Sequence, residues 1–191
     1  MENGIQDTKE DELHHESLAL QLKLGYRHAA EELVDHYYQK IYLYMRQLGH
    51  DAHESEDLTQ EAFIRAWCCI HQIRDSRTLH GWLFRIAGNI SRDRWRKKKR
   101  RDLIQKNKIN IHVIDQEESN DQENLLLREE LDKVQEGLNH LTWKLKQAIV
   151  LHYLQGFKIT EAAEAAGIKE GTLKSRLNRA LEQLRTFMQD D

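Results

Sequence analysis

Apolar side chains recur at helical spacing along most of this chain. Between residues 18 and 48, Leu22, Leu33, Tyr37, Ile41, Tyr44 and Leu48 share helical faces, with Gly25 marking a break between two helices. Gly49, His50 and Asp51 read as a turn. Beyond it Leu58, Ala62, Ala66 and Ile70 recur every four residues and predict an inward stripe. Ser55 is the expected N-cap of that helix, with Glu56 and Asp57 in a first turn where the helix dipole favours anions. A polar stretch, Arg74 to Thr78, precedes a helix that starts near Gly81 and Trp82 and carries Leu83, Ile86, Ala87 and Ile90.

The period then fades. Across 102–124 the apolar residues Ile109, Ile111, Val113 and Ile114 stand apart, and Asp115, Glu117, Glu118, Asp121 and Glu123 follow with no base among them. That pattern predicts an extended, unpacked linker. Helical spacing resumes at Leu127, Leu131, Val134, Leu138 and Leu141 and continues to about Met188. The predicted organisation is all-α: a tail over 1–16, a helical domain over 17–101, a flexible linker over 102–124 and a second helical domain over 125–191.

Composition sharpens this reading. The 191 residues include no proline and only nine glycines, and good helix formers dominate the rest. Lys and Arg number 29 against 32 Asp and Glu, a net charge of −3, which excludes a uniformly basic binder but not one with segregated charge. Segregation is what the chain shows. Residues 1–16 hold six acids and one lysine, whereas 92–101 hold eight bases and one acid. No apolar run approaches the roughly 20 residues of a membrane span, and no signal-peptide core is present. The two cysteines, Cys68 and Cys69, are adjacent and form neither a metal-ligand spacing nor a disulfide framework. They are expected as one buried and one partly buried small hydrophobe. A cytoplasmic protein without membrane attachment is the expectation, and nucleotide-loop, nucleophile-elbow and zinc-protease motifs are lacking. Neither catalysis nor a cofactor or metal is expected.

Three segments carry chemistry. In ITEAAEAAGIKEGTLKSRLN (159–178), Ala163, Gly167 and Leu173 supply the small residue, the turn glycine and the apolar pin of a helix-turn-helix. Leu173, Leu177, Ala180, Leu181 and Leu184 then face inward, while Gly171, Lys174, Ser175, Asn178 and Arg179 project outward as a major-groove reader requires. On the preceding basic helix Arg85, Asn89, Arg92, Arg96 and Lys99 share one face, bracketed by Trp82 and Trp95, which suits a nucleic-acid backbone and exposed bases. The third segment presents Asp57, Gln60, Glu61, Ile64 and Arg65 outward, a face able to dock a basic partner helix. From the residues alone each segment retains a plainer reading: a helical hairpin, a solvated charge run, and a solvated helix face.

Taken together, EDLTQEAFIRAW (56–67), GWLFRIAGN (81–89) and the arginine-lysine run resemble the second domain of a bacterial sigma factor, of the compact extracytoplasmic-function class. LHYLQGF (151–157) leading into GTLKSRLNRA (171–180) resembles that class's fourth domain. The resemblance covers roughly 17–101 and 125–188, and two motif sets in the right order are more specific than either alone.

The resemblance implies a protein that binds core RNA polymerase and directs promoter recognition, −10 melting and transcription initiation. It implies that Asp57, Gln60, Glu61 and Arg65 dock on a clamp coiled coil of the polymerase. The loop from Arg74 to Gly81, with Arg74 and Ser76, matches a pocket for a flipped base of the −10 element. Trp82, Arg85, Asn89, Arg92 and Arg96 match the face that meets the adjoining single strand. Unstacking a base costs a few kcal/mol, so such a face must offer replacement contacts. In the fourth domain Lys174, Ser175, Asn178 and Arg179 match base-edge or near-base contacts to duplex −35 DNA and Thr172 and Arg176 phosphate contacts, with Gly171 on the same −35-binding surface. The family also implies an anti-sigma factor as partner, and a linker threading the polymerase channels. Thr142 replaces a frequent proline, and Lys158 and Lys169 stand where serine commonly caps both helices of the motif. Each lost cap is expected to cost about 1 kcal/mol. The acidic tail has no counterpart in the family pattern. The alternative reading is a stand-alone helix-turn-helix regulator that does not recruit polymerase.

Overall fold

The computed structural model describes residues 17–73, 78–105 and 136–189, with side chains to residue 102 in the second stretch. Among the described residues every regular element is helical. The first unit comprises α1 (17–23), α2 (Arg27–Gln47), α3 (Ala52–Cys69) with a 3-10 turn at Ile70–Gln72, and α4 (Leu79–Gln105). The second comprises α5 (136–140), α6 (Trp143–Ile149) running into a π-turn at Val150–Leu154, α7 (Ile159–Ala166) and α8 (Glu170–Gln189). The acidic tail, most of the linker and the first residues of the 125–191 segment lie outside the described residues, and α4 continues past residue 101.

The predicted stripes are the observed core. Leu22, Leu33, Tyr37, Ile41 and Tyr44 are buried from α1 and α2, and Leu58, Ala62, Ala66 and Ile70 from α3. Gly25 separates α1 from α2 at φ +78°, a left-handed conformation that glycine adopts without steric cost. The start of α3 departs from the sequence reading. Asp51, not Ser55, is the N-cap, and its carboxylate accepts from the Glu54 N–H at 2.7 Å. Ser55 lies one turn inside and is buried, its hydroxyl turned to the His50 carbonyl at 3.4 Å. Both residues are good caps by type; Asp51 wins because Ser55 is needed on the inward face. The cysteines differ too: Cys68 is exposed and Cys69 half-buried, because the α3 stripe turns away from both.

The two units do not stand apart. Their buried apolar residues form one continuous cluster, and α4 packs along α7 and touches α6. Phe157, just beyond the π-turn, enters the first unit, where it stacks on His80 with ring centroids 4.5 Å apart and meets Phe84 edge-on at 4.9 Å. Gly88 allows α4 and α6 to approach: a β-carbon there would lie 2.6 Å from Gln147 Nε2 and 3.0 Å from Tyr44 Oη. The same Gln147 amide donates to the Tyr44 hydroxyl oxygen at 3.2 Å, and the Gln155 amide donates to Gln47 Oε1 at 2.8 Å. Burial raises the Tyr44 phenol well above its ordinary range, with the Gln147 bond opposing, so it stays neutral.

Truncating Phe157 removes an aromatic from the middle of this seam. Phe157→Ala is expected to destabilise the chain by about 3 kcal/mol or more, read as a lower midpoint in urea unfolding followed by circular dichroism.

Candidate nucleic-acid and protein interfaces

Three surfaces emerge from the fold, each built on one helix. On α3, burial of the Leu58 stripe turns Asp57, Gln60, Glu61, Ile64 and Arg65 outward together. Arg65 Nη2 pairs with Glu61 Oε1 at 2.7 Å and His53 Nδ1 lies 3.5 Å from Asp57 Oδ2, so the carboxylates are held along one ridge. Ile64 is 65% exposed and Trp67, one turn on, 43%. An exposed isoleucine and tryptophan on one acidic helix face leave apolar area uncovered by the chain itself. The sequence reading named Ile64 but not Trp67. Extending the outward set by one turn would have found it.

On α4 the picture is mixed. Arg96 and Lys99 are exposed, Lys99 Nζ lying 5.1 Å from the Trp95 ring centroid, while Asn89 and Arg92 are half-buried. Arg92 Nε is buried without a hydrogen-bond partner among the described residues, with Asp93 Oδ1 4.0 Å away. The side chain is otherwise 42% exposed, so its remaining N–H groups are open to an incoming acceptor. Trp82 packs partly into the core, with less ring face available than its sequence position suggested. Arg85 is exposed but lies against the second unit. A β-carbon on Gly167 would lie 3.3 Å from Arg85 Nε, so the guanidinium sits over the C-terminal end of α7, where a cation is favoured. Gly81 meets the backbone of Glu161 in the same way, at 4.0 Å. Arg74 and Ser76 lie outside the described residues.

The helix-turn-helix follows the sequence reading closely. Ala163, Leu173, Leu177 and Ala180 are buried, and Gly167 closes α7 at φ +66° with its N–H returned to the helix. Gly171, Thr172, Lys174, Ser175, Asn178 and Arg179 are exposed along α8, with Arg176 half-buried. Ser175 Oγ donates to the Gly171 carbonyl at 2.9 Å, so its proton is committed and its lone pairs face outward. An open groove of about 850 Å³ runs between α6 and α8, lined by Lys144, Lys169, Thr172, Arg176 and Arg179 among others. Lys144 joins this cationic wall from α6. It was not singled out by sequence, because only the fold brings α6 beside α8. At the start of α7 the serine-like cap lost to Lys158 is replaced from the other side: Glu161 accepts from the Lys158 N–H at 2.8 Å. Thr142 occupies the N-cap of α6, but its hydroxyl makes no capping bond.

Comparison with known proteins agrees with this geometry. Residues 33–101 match the model of sigma-70 region 2, and residues 131–184 that of sigma-70 region 4. The chain is 34% identical over 182 residues to the ECF RNA polymerase sigma factor SigW of Bacillus subtilis, covering 89% of this chain and 94% of that one. It is 27% identical over 162 residues to SigX of the same organism, covering 82% of each chain. Among solved structures, CnrH in complex with the cytosolic domain of CnrY superposes with a TM-score of 0.69 at 24% identity, covering 92% of this chain and 97% of that one. The sigma factor RpoE of Bartonella quintana, solved with the anti-sigma factor NepR, gives 0.65 at 24% identity over 84% of this chain and 97% of that one. These two likenesses show a shared fold. The chain belongs to the extracytoplasmic-function RNA polymerase sigma factors, a family of transcription initiation factors. No helix among the described residues is long and apolar enough to cross a membrane.

Gly167 is the position where the helix-turn-helix has least tolerance. Gly167→Ala forces a β-carbon into left-handed backbone and against Arg85. The expected loss is about 1 kcal/mol or more of stability, measured by thermal unfolding, with helical content at low temperature unchanged.

Proposed function

We propose that this chain is the promoter-recognition subunit of a cytoplasmic RNA polymerase holoenzyme, with each surface serving one contact. The first unit, 17–101 in the sequence reading, docks on core polymerase and captures the −10 element. The second, 125–191, reads the −35 element. Asp57, Gln60, Glu61 and Arg65 on α3, with Ile64 and Trp67 beside them, meet a coiled coil of the core enzyme. The acidic ridge complements basic residues and the apolar pair supplies desolvated area. Asn89, Arg92 and Arg96 bind single-stranded −10 DNA, and Arg85 joins them once it is released from α7. Lys174, Ser175, Asn178 and Arg179 contact base edges in the −35 major groove. Lys144, Lys169, Thr172 and Arg176 meet phosphates, and Gly171 lets the backbone approach the strand.

The observation that carries the proposal is the pairing, on one chain, of the exposed acidic and apolar α3 face with two separate cationic reading surfaces. A stand-alone operator-binding regulator has no use for the first. Partners of the anti-sigma kind belong to the same proposal, since RpoE, which shares this fold, was captured with the anti-sigma factor NepR. The deciding experiment is run-off transcription with core polymerase on a library of genomic promoter fragments. Start sites that depend on the added chain support the proposal. Tight operator binding without polymerase, combined with no directed initiation, rejects it.

Charge reversal at Asp57 and Glu61 is expected to abolish co-purification with core polymerase while the circular dichroism spectrum stays unchanged. Lys174→Ala or Arg179→Ala is expected to relax −35 preference at particular positions, by about 1–3 kcal/mol each in competition binding. Neutralising Lys97, Lys98 and Lys99 should instead weaken binding to every sequence and reduce the salt slope by roughly one unit per lost phosphate contact.

A further inference from the structure

Between α3 and α4 an open groove of about 850 Å³ is lined mainly by cations. Arg65 comes from α3, and Arg94, Arg96, Lys97, Arg100 and Arg101 come from α4. Ile90, Arg94, Lys97 and Arg101 follow spacings of four, three and four, so one stripe of α4 faces the groove. Leu58 and Ile90 close its floor and are themselves buried, so an occupant meets charge and little apolar surface. Two carboxylates share the walls. Glu61 is engaged by Arg65 at 2.7 Å, and Asp93 Oδ1 lies 4.0 Å from Arg92 Nε.

The positive charge exceeds what these acids answer. Arg94 Nε lies 3.6 Å from Glu54 Oε1, whereas Arg96, Lys97, Arg100 and Arg101 are exposed and make no ion pair among the described residues. Arg96 with Arg100, and Lys97 with Arg101, are like charges one turn apart, which repel until an anion enters. The chain carries its own polyanion. Residues 1–16 hold Glu2, Asp7, Glu10, Asp11, Glu12 and Glu16 against Lys9 alone, and neither docking on polymerase nor reading DNA uses them.

We propose that residues 1–16 seat in this groove as an internal competitor, their carboxylates pairing with Arg96, Lys97, Arg100 and Arg101 and shielding α4 from nucleic acid in the free chain. The seating stands on charge and tether alone. Only its meaning, a guard against non-specific binding by a promoter-reading subunit, rests on the proposed function.

Reach and charge single out this occupant. The tail is tied to the first unit at Ser17, where α1 begins. Its residues, fully extended, span up to about 55 Å. A unit of about 85 residues has a radius of gyration of only about 12 Å, so the groove lies within range. Tethering presents the carboxylates at an effective concentration on the order of millimolar, which suffices to populate weak ionic contacts. The acids at 115–123 are the rival. That segment is tied at both ends, to α4 and to α5, so fewer of its arrangements lay it over the groove. The groove between α6 and α8 belongs to the other unit and offers fewer cations: Lys144, Lys169, Arg176 and Arg179.

Zero-length carbodiimide cross-linking of the full chain, without polymerase or DNA, tests the seating, since it joins a carboxylate to a lysine only where they touch. Mass spectrometry is expected to find the tail joined to Lys97 within one chain. Arg96→Glu with Arg100→Glu should reduce that product several-fold, with circular dichroism as the folding control. Should this variant lose helicity, salt decides on the unaltered chain: at about 1 M the Debye length is about 3 Å, and a product that persists undiminished overturns the proposal. A chain lacking the product overturns it too, as does a tail joined to Lys144, Lys169 or Lys174 instead, or Lys97 joined to 115–123 in its place. The shielding is read by fluorescence anisotropy with a mixed-sequence single-stranded oligonucleotide at about 0.1 M salt. Glu10→Gln, Asp11→Asn and Glu12→Gln together should tighten binding several-fold. Glu117→Gln, Glu118→Gln and Asp121→Asn remove the same charge from the rival segment and should give no matching gain. Equal gains would trace the effect to net charge, and unchanged affinity in both would leave the tail without effect; either result refutes the shielding. None of these readouts involves polymerase, so their failure is distinct from a failure of the transcription assay.

Discussion

The packing of Phe157 against His80 and Phe84, three rings in mutual contact, is the contact on which the rest of the arrangement depends. It converts two helical bundles, each too small to bury much by itself, into one apolar cluster. Small domains expose a large fraction of their surface, so the shared seam contributes burial that neither unit has alone. Polar contacts flank it on the same boundary. Gln147 reaches Tyr44, Gln155 reaches Gln47 and the Trp143 indole reaches Ser91 across the same boundary.

That seam sets a tension between stability and access. The residues best suited to nucleic acid lie on α4, and half of that helix also supplies the surface the second unit needs for its own core. Arg96 and Lys99, near the far end, stand in solvent, whereas near the seam Asn89 is half-buried and Arg85, though exposed, lies over the end of α7. Charge thus draws a polyanion to the chain from any direction, while the groups nearest the bases are reached only at the expense of buried apolar area. The α3 face and the α8 face carry no such conflict, and both are open.

Much of this was legible in the residues. The inward stripes of α2 and α3, the glycine breaks and the helix-turn-helix pattern all fell where expected, because helical periodicity is a local signal. So did the outward sets on α3 and α8, which are complements of those stripes. What the sequence did not disclose depended on contacts distant along the chain. Ser55 and Asp51 are both good caps by type, and only the packing of α3 decides between them. Lys146, on α6, looks like any surface lysine until Asn139 of α5 and the turn at Gly49 close around it. The polar middle segment suggested two tethered bodies, yet nothing in the periodicity could report that Phe157 belongs to the other unit's core.

The π-turn at Val150–Leu154 carries one more residue per turn than the helix it extends. Each residue of an α-helix turns the chain by about 100°, so that single extra position decides which way everything after Gly156 is aimed. Removing one amino acid between 150 and 154 would leave the composition almost unaltered and still swing the downstream motif around the axis of α6. Val150 and Leu151 are fully buried, so the segment is fixed twice over, by what its side chains fill and by how many residues it contains.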